Sequence, residues 1–270
     1  MRSGSSLSDD FWFCLHFYTR LPVPGGMAKR LDTSLAPFAR AIRMLPFAGA
    51  VIGGLAAAVL VAAVALGLPP AIAGPLTIAF LVVCTGALHE DGLADCADGF
   101  FGGGTPQHRL AIMGDSYIGA FGAAALTMSL YLRAASLSVV AGNSVTLAAA
   151  VLIGAAALSR MASLMPLLML PPAKGNGAGF CAGKPEKSAF VFAACMAVAI
   201  SLVPALAGSG ILHALSALAA AIGTAYALVP LARSVIGGQT GDVAGAAQQV
   251  SEIAYLIVFT AYQGSGPRGA

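Results

Sequence analysis

Residues 89–99 read His-Glu-Asp-Gly-Leu-Ala-Asp-Cys-Ala-Asp-Gly and place four carboxylates within nine residues, in a chain that has only eleven Asp and Glu residues. Three of them, Asp91, Asp95 and Asp98, are spaced by four and then by three residues. This spacing predicts a helix that presents all three carboxylates on one face, over two turns. No Lys or Arg lies between residues 86 and 104 to balance their charge.

The acidic stretch has two interpretations. It is either the solvated acidic end of a helix or a set of hard oxygen ligands for Mg²⁺, with Mn²⁺ as an alternative. We favour the metal, because like charges this close repel one another unless they are neutralised. Asp91, Asp95 and Asp98 are then predicted as metal ligands and catalytic residues, with Glu90 as a further ligand. His89, which begins the stretch, is a candidate for proton transfer.

The stretch closes a long apolar run, and the composition of the whole chain extends that pattern. Hydrophobic residues make up 58% of the chain, charged residues make up 9%, and the mean hydropathy is +0.86. A soluble domain usually carries about a quarter charged residues. The apolar runs are long and do not alternate with polar residues, which argues against strands. We therefore predict an all-α, polytopic membrane bundle forming one domain over residues 1–270, with residues 1–46 as a cytoplasmic or interfacial segment.

Seven apolar runs approach the roughly twenty residues that a membrane-spanning helix needs. They are 47–67, 71–89, 119–141, 146–170, 189–207, 211–232 and 245–263. The connections near 68–70, 142–145 and 208–210 lack Lys and Arg, whereas the N-terminal segment and the long connections hold eleven of the fourteen basic residues. The positive-inside rule then predicts that the N-terminus and the active site lie on the cytoplasmic face and the C-terminus outside. The membrane that we predict for the protein is the inner, cytoplasmic one.

Three further polar segments lie at the cytoplasmic ends of predicted spans, and each has two interpretations. Asp115 and Ser116 precede the third span, either as an ordinary charged loop or where free helix amides suit phosphate. The loop 171–188, with glycines after Lys174, is a linker or a phosphate cradle. Residues 239–242 (Gln-Thr-Gly-Asp) are a helix N-cap region or a ligand site.

Arg160 and Glu252 are charged residues inside predicted spans. Charged side chains at such depth are costly and face partners or a polar cavity. Arg160 and Glu252 either form an ion pair with each other or contact a substrate, and the sequence leaves both interpretations open.

At these residues the sequence resembles the cobalamin synthase, or adenosylcobinamide-GDP ribazoletransferase, family. Five motifs spread over most of the chain carry the resemblance. In order along the chain, the residues that match are 19–24 (Thr-Arg-Leu-Pro-Val-Pro), His89 with 91–95 and 98–99, then 112–113, 115–116 and 118–119, then 159–160 (Ser-Arg), and finally 237–242 with 245–246.

The resemblance implies a Mg²⁺-dependent membrane enzyme that joins adenosylcobinamide-GDP to α-ribazole, or to its 5′-phosphate, with release of GMP. Its partners would be these substrates and membrane lipid, without nucleic acid, and a homo-oligomer is left open. The substrate-binding residues that it implies are Asp115, Ser116, Arg160, Gln239, Thr240 and Asp242. The family often has basic residues where this chain has Gly114 and Tyr117, so contact with substrate phosphate would fall to Arg109 or Lys184.

Two other functions stay open beside this one. A CDP-alcohol phosphotransferase also uses aspartates on membrane helices, but this chain has Asp95-Cys96 where that signature has Ala-Arg. A cation transporter would use Asp91, Asp95 and Glu252 as ion ligands. The acidic residues cluster towards one membrane face rather than at the midplane, which argues against transport.

Overall fold

The structure is a computed structural model that describes residues 6–28, 35 and 37–261. Within these ranges the regular structure is helical, and the strand-type pairing is an isolated parallel bridge between Pro172 and Gln239. The all-α prediction is therefore confirmed. Some of the residues behind the predicted topology lie outside the described ranges, namely Arg2, Lys29, Arg30, Arg268 and the predicted external C-terminus.

The chain folds as a succession of α-helices joined by short connections. They are α1 (Leu7–Tyr18), α2 (Gly25–Ala28), α3 (Phe38–Ala41), α4 (Leu45–Ala65), α5 (Pro70–Thr85), α6 (Leu88–Gly102), α7 (Pro106–Ile112), α8 (Ala120–Asn143), α9 (Val145–Ala162), α10 (Met165–Met169), α11 (Ala178–Ala182), α12 (Lys187–Ser201), α13 (Ile211–Ile236) and α14 (Gly241–Ala261). A 3₁₀ turn (Ile42–Met44) joins α3 to α4, and a π-helical turn (Ala205–Ser209) follows α12.

Several of these helices are long and apolar enough to cross a membrane. In the described part of the chain they are Phe38–Ala65, Ala120–Asn143, Val145–Met169, Lys187–Ser209, Ile211–Ile236 and Gly241–Ala261. A seventh candidate is the pair α5 and α6, which is long and apolar enough only when taken together and is bent by 91°, as in a broken span or a re-entrant loop. The predicted multi-pass helical bundle of about seven spans is confirmed. The predicted second span, 71–89, ends too late, because the straight helix stops at Thr85.

The bend between α5 and α6 occurs at two residues that have left-handed backbone conformations. Gly86 has φ +64° and Ala87 has φ +57°. Glycine adopts such angles without a steric penalty, which is why helices often end at one. The N–H of Arg20 donates to the Cys84 carbonyl at 2.8 Å, and the Arg20 side chain packs on Gly86. The motif at 19–24 thus lies against the bend and supports the direction of α6.

Small residues let neighbouring helices approach at backbone distance. Added Cβ atoms on Gly49 and Gly53 of α4 would each lie 2.6 Å from a carbonyl oxygen of α9, at Ala156 and Leu152 respectively. Such small-residue seams are common between membrane helices. In the same way, a Cβ on Gly92 of α6 would lie 2.9 Å from the backbone of Asp242, so α6 packs directly on the start of α14. We call the end of the bundle where α8 and α14 begin the site end.

Candidate active site

Helix α6 borders an open cleft of 530 Å³ at the site end of the bundle. Glu90, Asp91 and Asp95 line it from α6, and Asp115 and Ser116 line it from the loop before α8. We call this space the acidic cleft. The helix predicted from the acidic spacing is confirmed, and the fold brings two separate sequence motifs to one cavity.

Asp242 adds a further carboxylate from α14. Because Gly92 allows close approach, the charge of Asp242 acts on Asp95 together with the charges of Asp91 and Asp98. Lys174 supplies the opposing positive charge. Three carboxylates from two helices, those of Asp91, Asp95 and Asp242, therefore concentrate negative charge beside the cleft, and one ammonium group offsets only part of it.

The predicted metal ligands do not form a preassembled cluster. In the described ranges no group of three or more His, Cys, Asp or Glu side chains is arranged to hold a metal ion. Asp98 is engaged elsewhere, since its two oxygens accept the N–H groups of Gly119 at 2.7 Å and Gly122 at 2.8 Å. A carboxylate bound to the first amides of a helix stabilises the start of that helix. In this structure Asp98 fixes α8 against α6.

Glu90 also has a partner within the protein. Its carboxylate pairs with Arg133 of α8 at 2.7 Å, and Arg133 pairs with Glu252 of α14 at 3.2 Å. All three side chains are at most 6% exposed. Arg133 therefore ties α6, α8 and α14 together inside the bundle. Sequence reasoning missed this role, although an arginine within an apolar span was the signal for it.

Of the two interpretations of Arg160 and Glu252, the ion pair between them does not form among the described residues. Glu252 pairs with Arg133, while Arg160 donates to the carbonyl of Ala156 in its own helix at 2.9 Å. Arg160 is 2% exposed and lines a small polar cavity with Glu90, Arg133 and Glu252. Its predicted contact with substrate stays a prediction.

Gln239 and Thr240 position the loop and helix around the acidic cleft. The Gln239 side chain donates to the Gly179 carbonyl at 3.1 Å, and its backbone pairs with residues 171 and 173. Thr240 accepts the N–H of Val243 at 3.3 Å and donates to Asp242 at 3.1 Å, as a helix N-cap does. These contacts anchor the segment that carries Lys174.

Lys174 is not among the predicted site residues, although the loop that contains it is a candidate phosphate cradle. Its ammonium lies 3.7 Å from the position that a Cβ on Gly114 would occupy, at the rim of the acidic cleft. Lys184, by contrast, is exposed and lines neither the cleft nor the cavity described next. Arg109 donates to the Phe100 carbonyl and packs on Gly103, which holds α7 against the end of α6. The glycines after Lys174 were the available signal, but they fit a linker equally well.

His89 lies beside a second, more apolar cavity of 130 Å³. We call it the aromatic cavity, and it is lined by Phe17, Tyr18, Phe38, His89, Asp91 and Asp242, together with apolar residues of α10 and α11. The His89 ring stacks on Tyr18 with ring centroids 5.5 Å apart. Burial raises the pKa of the Tyr18 hydroxyl, so this side chain stays neutral. Asp91 is the carboxylate that borders both the aromatic cavity and the acidic cleft.

Known proteins are similar to this chain along nearly its whole length. A family model described as cobalamin-5-phosphate synthase matches residues 10–260. A curated adenosylcobinamide-GDP ribazoletransferase of Azorhizobium caulinodans is 45% identical over 254 residues, which cover 94% of this chain and 96% of that protein. The protein of the same name from Xanthobacter autotrophicus is 44% identical over 252 residues, covering 93% and 95%. No solved structure gives a significant match. The chain therefore belongs to the cobalamin-5-phosphate synthase family.

Proposed function

We propose that this chain is an inner-membrane, Mg²⁺-dependent transferase that joins adenosylcobinamide-GDP to α-ribazole, or to its 5′-phosphate, and releases GMP. The site end of the bundle faces the cytoplasm in this proposal. The family and the names of the curated relatives support the reaction class. The observation that carries the proposal is the convergence of Asp91, Asp95 and Asp242 beside a cleft that also holds Asp115 and Ser116.

The donor set at the cleft suits magnesium. Carboxylate oxygens are hard ligands, and the negative charge of Asp91, Asp95 and Asp242 exceeds the single charge of Lys174. Mg²⁺ is usually held by one or two carboxylates plus substrate phosphates rather than by a complete protein cage. Asp91 and Asp95 would hold it here, and Asp242 would add negative charge beside them. When bound, the metal would neutralise negative charge on the diphosphate.

The residues of this chain then act by positioning and electrostatics. An oxygen of the ribose hydroxyl attacks the phosphorus that carries the corrinoid arm, and a new P–O bond forms. The P–O bond to GMP breaks, GMP leaves with the electron pair, and the hydroxyl proton passes to the carboxylates of the cleft. Lys174 at the rim offers its ammonium to the diphosphate oxygens. Preorganised charges of this kind supply much of the rate enhancement in phosphoryl transfer.

The test is GMP release by the purified protein in detergent. We expect GMP to appear only when adenosylcobinamide-GDP, α-ribazole and Mg²⁺ are all present, and chelation of the metal to stop it reversibly. A CDP-alcohol donor in place of adenosylcobinamide-GDP should release no CMP. Absence of GMP with both acceptor forms and with either Mg²⁺ or Mn²⁺ would defeat the proposal.

Lys174→Ala should weaken binding of the nucleotide-bearing donor. The KM for adenosylcobinamide-GDP is expected to rise by about tenfold, because a charge-assisted hydrogen bond contributes roughly 1.5–3 kcal/mol. Steady-state kinetics with varied donor concentration measure the effect. Lys184→Ala is the matched control, since Lys184 is exposed and outside the cleft. Equal increases in KM for both variants would assign the effect to overall charge and refute a specific contact of Lys174.

A further inference from the structure

The aromatic cavity is a second site beside the acidic cleft, and its walls differ in character from those of the cleft. The aromatic rings of Phe17, Tyr18 and Phe38 line it, together with Leu164 and Leu167. Ligand pockets are typically apolar in this way, with a few polar groups that fix orientation. Its volume of 130 Å³ compares with the engineered apolar cavity of about 150 Å³ that binds benzene. The cavity is partly open, so a fused two-ring group fits if one ring lies at the mouth.

His89 is one of the polar groups that line the aromatic cavity, with Asp91, Asp242 and Ser163, and it also lines the small polar cavity beside Arg160. His89 is 3% exposed, and its Nε2 atom has no hydrogen-bond partner in the described part of the protein. A buried polar atom without a partner carries the free-energy cost of its lost hydration. A ligand with one acceptor in an apolar ring system would satisfy it.

We propose that the aromatic cavity binds the benzimidazole base of the α-ribazole acceptor, with the ribose directed past Asp91 into the acidic cleft. The inference rests on the proposed function and deepens it. When the base is joined to ribose through one ring nitrogen, its other ring nitrogen is free to accept from His89 Nε2. The apolar edge of the base meets the leucine and phenylalanine side chains.

Asp91 links the two substrates in this arrangement. It lines both the cavity and the cleft, so an acceptor seated in the cavity places its ribose at the cleft that holds the donor diphosphate. Placing the attacking hydroxyl beside the phosphorus in this way replaces a bimolecular encounter by a pre-oriented one.

The guanine of the donor is the competing occupant. Its N7 and O6 acceptors need hydrogen-bond donors, and the Ser163 hydroxyl of the lining already donates to the carbonyl of Arg160 at 2.6 Å. Asp91 and Asp242 also line the cavity and offer acceptors to the guanine N2 group, so the measurements below compare the two substrates directly.

Filling the cavity separates these possibilities. Ala178 lines the cavity from α11 and is otherwise exposed, so Ala178→Phe adds bulk at low risk to the fold. We expect the KM for α-ribazole to rise by at least about tenfold, which corresponds to ~1.4 kcal/mol of binding free energy. The KM for adenosylcobinamide-GDP should stay within about twofold of its original value. Ala71→Phe, at an exposed alanine at the start of α5, is the matched control and should change neither value.

Calorimetric titration of the unmodified protein gives a second readout that needs no turnover. We expect α-ribazole alone to bind, and Ala178→Phe to weaken that binding by a similar factor. A rise in donor KM alone, or competition by GMP for the α-ribazole site, would assign the cavity to guanine and overturn the inference. Unchanged KM and unchanged titration would overturn it as well. If the unmodified protein releases no GMP under any condition, the proposed function is wrong. If the unmodified protein releases GMP but either of the contrary results above is obtained, only the assignment of the cavity is wrong.

Discussion

Asp91→Asn is expected to reduce GMP release by at least about a hundredfold while the protein stays folded. The substitution keeps the shape of the side chain but removes the negative charge that a hard cation requires. Losses of this size follow removal of a preorganised electrostatic group at a reacting centre. Asp91 is exposed to the cleft and borders the aromatic cavity, so its neutralisation leaves the packing of α6 intact. The measurements are chromatographic quantification of GMP and melting in detergent.

Glu186→Gln is the control for this prediction. Glu186 is exposed just before α12, far along the chain from the acidic residues, and accepts from Ser188 at 2.7 Å. Its replacement removes one negative charge without touching the cleft, so the rate should be unchanged. Turnover near the unmodified level for Asp91→Asn would remove Asp91 from the chemistry and, with it, the metal assignment.

Arg133→Met should cause a large loss of stability. It leaves Glu90 and Glu252 facing each other inside the bundle without their shared cation. Removal of one partner from a buried ion pair typically costs about 3–5 kcal/mol. We expect a steep fall in the melting temperature in detergent, or failure to accumulate in the membrane. Arg233→Met, at an exposed arginine of α13, should have little effect.

A double variant tests the physical cause. Combining Arg133→Met with Glu90→Gln removes one positive and one negative charge and leaves Glu252 to balance Arg160, which lines the same small cavity, so most of the lost stability should return. If the double variant is as unstable as Arg133→Met alone, the loss comes from the packing of the arginine side chain rather than from an uncompensated carboxylate.

The spacing within residues 89–99 predicted the helix and its acidic face, because helical periodicity is a local property of the chain. The roles of Asp98 and Glu90 depend on Gly119 and Arg133, which lie 21 and 43 residues further along the chain. A local sequence pattern does not predict such distant contacts. The same reason explains the missed Lys174, which reaches the cleft through a backbone bridge between Pro172 and Gln239. Hydropathy identified the apolar runs correctly, but it does not report changes in the direction of the backbone. The predicted second span therefore continued beyond Gly86, where the backbone turns.

The network around Arg133 has a consequence for how the protein is made. Arg133 is the fourteenth of the 24 residues of α8, and Glu252 is the twelfth of the 21 residues of α14. An arginine at the centre of a membrane helix costs about 2.5–3.5 kcal/mol when it is inserted alone. Glu90 precedes Arg133 by 43 residues and is available to it when α8 is inserted, whereas Glu252 follows 119 residues later. The centre of the bundle is thus completed only when α14 is inserted, so we expect chains truncated before α14 to insert less efficiently and to be degraded faster by membrane proteases.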